Sequence, residues 1–144
     1  MKRTRTMYLQ GKLDEGEEVM VIENDLIGIG WKIEDFKIIA YNFDEVQDNT
    51  YVARLATQPN IVPLQAQYEL PTVLGFATYG GGANDQLLDM DTVIIDELYV
   101  TNCTATASIT NKEINYQIIL GQYDITDLEN IVAQVKNSQG NPDN

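Results

Sequence analysis

Along most of this chain apolar residues return at every second position, and that period constrains the fold more than anything else in the sequence. Alternation sends successive side chains to opposite faces of an extended strand, whereas a helix needs a repeat of three and four. Met7 and Leu9 alternate with Tyr8 and Gln10, and Val19 and Val21 alternate with Met20 and Ile22. The intervening Asp14-Glu-Gly-Glu17 predicts a hairpin turn, with Gly16 supplying the awkward backbone angle. Extended segments follow at Leu26–Trp31, Phe36–Phe43, Thr50–Thr57 and Val73–Tyr79. Thr92–Thr101 is the most β-branched of all and reads as the strongest strand. Thr104–Thr110 reads as a further short strand, and Glu113–Leu120 puts Ile114, Tyr116, Ile118 and Leu120 on one face. Pro59, Pro63 and Pro71 make 58–72 a loop or an edge strand, and Tyr79–Asp85 is a glycine-rich turn.

Eight or nine short strands with regular turn signals predict an all-β, antiparallel β-sandwich, and the count suits a jelly roll. One segment reads as helix. Thr126-Asp-Leu-Glu129 is a capping box, and Leu128, Ile131, Val132 and Val135 then form one helical face. A short C-terminal helix over 126–137 is therefore expected, its apolar face docked on the sandwich end or on a neighbouring subunit, with 138–144 a polar tail. At 144 residues the chain is one domain, expected to span 13–137 behind a basic segment, 1–12.

Charge is placed unevenly. Lys2, Arg3, Arg5 and Lys12 give residues 1–12 a charge of +4, in a chain whose total is −13. So acidic a body repels nucleic acid and anionic lipid over its general surface. The amino-terminal segment is then the place for a weak nucleic-acid contact, or for an acidic face of another subunit; the plainer alternative is the solvated start of an edge strand. No run of 18 apolar residues occurs, so no membrane insertion is expected.

Little chemistry is legible. Histidine is absent, which removes the Ser-His and Cys-His pairs and most transition-metal sites. Asp96 and Glu97 are neighbours in an expected strand and so point to opposite faces. No catalytic residues are assigned, and a non-enzymatic protein is expected. Asp85, Asp89 and Asp91, beside Asn84 and the triple glycine, form an oxygen-rich stretch that could take Ca²⁺, though the spacing is not that of an EF-hand; a solvated acidic loop is the commoner meaning. No other cofactor is expected. Cys103 reads as a small buried hydrophobe, and the Asn102-Cys-Thr104 sequon as accidental. Trp31, Phe36, Tyr41, Phe43, Tyr51, Tyr99 and Tyr116 sit at strand spacing, where core packing is the usual role.

Three features occur in a particular order: the basic Lys2, Arg3 and Arg5; Trp31-Lys-Ile-Glu-Asp-Phe-Lys-Ile38, opening the main strand run; and Ile114-Asn-Tyr-Gln-Ile-Ile-Leu120, leading into Asp124-Ile-Thr-Asp-Leu-Glu-Asn130. In that order the chain resembles small jelly-roll capsid-type proteins of tailless phages and related viruses. The resemblance implies a self-associating structural protein of the virion, resident in the host cytoplasm before assembly, with residues 1–12 facing the genome or lacing subunits together. Its partners would be copies of itself or other virion proteins. The short arm and small size suit a vertex or decoration subunit as well as a coat subunit. The alternative is a sandwich module that recognises a glycan or receptor through residues 79–91.

Overall fold

The computed structural model describes residues 2–24, 27–42, 50–59, 69–81, 83–105, 109 and 111–125. These form eight antiparallel strands: β1 (Lys2–Leu13), β2 (Glu18–Glu23), β3 (Ile29–Ala40), β4 (Tyr51–Ala56), β5 (Val73–Gly80), β6 (Ala83–Leu88), β7 (Glu97–Asn102) and β8 (Ile114–Asp124). They make two sheets, one of order β1-β8-β3 and one of order β2-β7-β4-β5-β6. No helix occurs among the described residues, and none there is long and apolar enough to cross a membrane. The expected helix with its face Leu128, Ile131, Val132 and Val135 lies outside the described residues, as does Phe43.

Alternation explains how the sheets meet. On β8, Ile114, Ile118 and Leu120 are buried and Tyr116 is half-buried, with Asn115 and Gln117 exposed on the other face. β3 shows the same pattern with one slip. Trp31 and Ile33 point inward, then Phe36, Ile38 and Ala40 do, because a bulge between Ile33 and Asp35 shifts the phase by one. These residues pack on Tyr51, Ala53, Leu55, Leu74, Leu98 and Val100 of the larger sheet. Burying a side chain such as Phe36 or Ile118 contributes roughly 1.5–3 kcal/mol, so this interior is the main source of stability. β4 is buried on both faces, and even Arg54 is enclosed.

Several local expectations are corrected. The turn at 14–17 forms, with Glu17 N donating to Asp14 O at 3.0 Å and Gly16 at φ 69°, but it joins no hairpin. β1 pairs with β8 and β2 with β7, so the turn is a corner between sheets. The side-chain amide of Asn102 fixes that corner by donating to the carbonyls of Lys112 (2.7 Å), Asp14 (3.1 Å) and Leu13 (3.3 Å).

The segment 92–101 is strand only from Glu97. Val93 and Ile94 are both buried, which a one-faced strand does not allow. The chain here joins β6 to β7 of the larger sheet and touches β3 of the smaller one by a single bridge, Trp31 to Ile94. Thr104 and its described neighbours are not strand either: the Thr104 hydroxyl bonds the Val52 backbone (3.0 Å from its N–H), so a side chain occupies the place of a ladder bond. Within 79–85, only Gly81 is a described turn: Tyr79 and Gly80 end β5, and Ala83–Leu88 is strand β6 paired with β5.

Candidate functional site

The basic residues of the amino-terminal segment lie in an edge strand. β1 is 12 residues long and paired with β8 from Lys2, opposite Asp124, to Leu13, opposite Ile114. Its side chains bond within their own sheet. Arg3 grips Glu34 of β3 with two hydrogen bonds, Nε to Oε2 at 2.7 Å and Nη2 to Oε1 at 2.8 Å. Arg5 Nε donates to Gln122 Oε1 at 2.6 Å. Lys12 pairs with Glu113 and lies 4.5 Å from the Tyr41 ring centre. These contacts hold the Glu34 and Glu113 carboxyls below the ordinary glutamate range and push Arg3 and Lys12 upward.

Charge divides between the sheets. Strands β1, β8 and β3 carry six of the chain's nine cations against three carboxylates, whereas the strands of the larger sheet carry one cation, the buried Arg54, against four. Among the described strands, the smaller sheet is thus the cationic layer of a strongly acidic chain.

Asp85, Asp89 and Asp91 are not brought together. Asp85 is exposed on β6, while Asp89 uses its carboxylate on its own turn, accepting from the backbone N–H of Asp91 and Thr92 (3.1 Å each) and from the Thr92 hydroxyl (2.5 Å). Among the described residues no group of three or more acids or cysteines is placed to hold a metal ion. Asn102 of the sequon is fully buried with its amide already bonded, which closes it to glycosylation in the folded chain.

A feature the sequence does not announce lies across the smaller sheet. Three successive rows, Gln10–Gln117–Lys37, Gly11–Tyr116–Ile38 and Lys12–Asn115–Ile39, line a groove of about 570 Å³ that ends at Asn84 of β6. β6 reaches this position because it runs beside the free edge of β3, where Gln86 Oε1 accepts from the Phe36 N–H at 3.2 Å. A smaller recess of about 220 Å³ continues from Lys37 and Asn84 to Asp85. The only sequence sign is the polar alternation Gln10/Lys12 and Asn115/Gln117, which marks solvent-facing positions; that these segments adjoin is a matter of topology.

Comparison with models of protein families, with curated proteins and with solved structures found no match to this chain.

Proposed function

We propose that the chain is a non-enzymatic jelly-roll subunit of a virus particle, in a capsid, vertex or decoration role, and that it works by associating with copies of itself. The observation that carries this is the pairing arithmetic of the strands. A jelly roll arises when one long hairpin folds over, so that the first strand meets the eighth, the second the seventh, the third the sixth and the fourth the fifth. Here β1 pairs with β8, β2 with β7 and β4 with β5. β6 departs by laddering with β5, yet it keeps its place beside β3 through Gln86. Viral coat subunits are among the proteins built this way, and the step from fold to role is one of analogy.

The flanks of the sandwich supply a means of association. β1 and β2 are the outer strands of their sheets and touch each other at the Asp14–Glu17 corner, so both open edges lie on one side. Two β1 edges would oppose cation to cation, since β1 holds no acid, and like charges facing across strands disfavour that pairing. β2 carries Glu18 and Glu23. A two-fold contact that sets β1 of each copy against β2 of the other is self-complementary. With Arg3, Arg5 and Lys12 bonded to Glu34, Gln122 and Glu113, β1 suits a subunit contact better than a genome-facing arm.

Light scattering at micromolar concentration tests this. Association that weakens on replacing Glu18 and Glu23 by Lys is expected; a strictly monomeric chain at all concentrations and salts would overturn it. A second class, a binding module, is favoured by one observation, the groove across the smaller sheet.

A further inference from the structure

We propose that this groove is a binding site for a neutral oligosaccharide, recognised through its ring hydroxyls. Four carboxamides, Gln10, Asn84, Asn115 and Gln117, surround the concavity, and none of their side chains has a hydrogen-bond partner among the described residues. A carboxamide offers an acceptor and two donors in one plane, which matches the adjacent hydroxyls of a sugar ring better than it matches an ion or an apolar surface. The three strands hold these groups at fixed register, so little ordering is needed on binding.

Charge argues for an uncharged ligand. The two lysines that line the groove are neutralised in place, Lys12 by Glu113 and Lys37 by Asp35 at 3.7 Å, and Asp85 lies in the adjoining recess. A polyanion would meet a near-neutral groove on a molecule of charge −13. Exposed tyrosines flank the groove. Tyr8 is 68% exposed, opposite Ile119 on β8, and Tyr41 is 49% exposed, its N–H bonded to Glu113 O. Six residues of β8 separate those two levels, about 20 Å at roughly 3.4 Å per residue. That length suits a few sugar rings, and rings stack on tyrosine faces.

The test is titration of the full chain with maltohexaose, cellohexaose, chitohexaose, mannohexaose, a galacturonate hexamer and oligothymidylate, followed by amide NMR shifts. Saturable binding of at least one neutral hexaose is expected, weakened roughly tenfold in each of Gln117→Ala, Asn115→Ala and Tyr8→Ala, with unchanged thermal midpoints showing the fold intact. Absence of saturation by every neutral hexaose at millimolar concentration would overturn the assignment. So would binding that the three variants leave unchanged, or tighter binding of oligothymidylate or the galacturonate hexamer with a steep salt dependence. Light scattering of the same samples reads self-association separately, so either idea can fail while the other stands.

Discussion

Arg3 and Glu34 meet over Gly121, spanning the middle strand of the smaller sheet from its two outer strands. The two hydrogen bonds, 2.7 and 2.8 Å, cross β8 where it has no side chain. A Cβ at Gly121 would sit 3.0 Å from Arg3 Nε and collide with the Glu34 carboxylate. Glu34 can reach there because it occupies the β3 bulge between Ile33 and Asp35. Glycine weakens a strand in general, and here it makes room for a clamp between β1 and β3.

The clamp sets a pH dependence. Arg3 holds the Glu34 carboxyl below its ordinary value, chiefly through the side-chain hydrogen bonds. A carboxyl depressed in the folded state contributes stability that is present above the unfolded pKa and lost as pH falls through the folded one. Acid should therefore begin to loosen β1 from about pH 4.3 downward, with Glu113 acting in the same direction through Lys12. Carboxyl titration by NMR should show Glu34 below an ordinary glutamate. Arg3→Gln and Gly121→Ala should raise its midpoint alike, the second by displacing the two exposed ends; an unmoved midpoint in Gly121→Ala would mean that the clamp does not depend on the glycine.

Asn102 should be among the most sensitive polar positions in the chain. It is fully buried, its NH₂ group serves the carbonyls of Leu13, Asp14 and Lys112, and its Oδ1 accepts from the Thr104 N–H at 3.1 Å. Removing it orphans several buried groups at the corner where β1 turns toward β2 and β8 begins. Asn102→Ala should cost about 3 kcal/mol in urea unfolding. Asn102→Asp should cost more, because a carboxylate cannot donate to those carbonyls. A loss for Asn102→Ala as small as that of an exposed polar residue would count against the corner's role.

Strands were legible where one face is buried, and less so where the chain passes between layers. Ile114, Tyr116, Ile118 and Leu120 share the inward face of β8, as their spacing predicts. Val93 and Ile94 misled because β-branched residues also fill a buried connection, so composition marks burial there without marking a ladder. The turn at 14–17 has hairpin chemistry, yet β1 pairs with residues 114–124 and β2 with residues 97–101, and turn chemistry does not encode pairing at such separation. The groove was hidden for the same reason: Gln10, Lys37, Asn84 and Gln117 become neighbours only through the β1-β8-β3 order and the approach of β6.

Cys103 should behave as a protected thiol. It is 5% exposed, its Sγ–H faces the Thr101 carbonyl at 3.8 Å, and burial pushes its pKa up, so little nucleophilic thiolate forms at neutral pH. A colorimetric disulfide reagent should label it slowly in native buffer and fully in denaturant. Rapid native labelling would show that the end of β7 opens readily.

Tyr99 gives a signal at the opposite end of the pH scale. Its hydroxyl donates to the Glu97 carboxylate two residues away on the same face of β7, and that bond is the main reason its pKa rises to about 12. Desolvation adds to the shift, as do the charges of Glu97, Glu18 and Glu23. A proton held more tightly in the folded state contributes stability that is full below the unfolded pKa, about 10, and lost as pH climbs toward 12. Ultraviolet difference titration should find Tyr99 ionising late, alongside Tyr116, whose pKa burial also raises, and Glu97→Gln should bring Tyr99 alone back toward the ordinary value, because the neutral amide removes the charge-assisted acceptor. The same substitution should flatten the alkaline fall in stability. If Tyr99 still ionises late in Glu97→Gln, its shift comes from burial first and then from the acidic edge of β2, where Glu18 and Glu23 face the same strand.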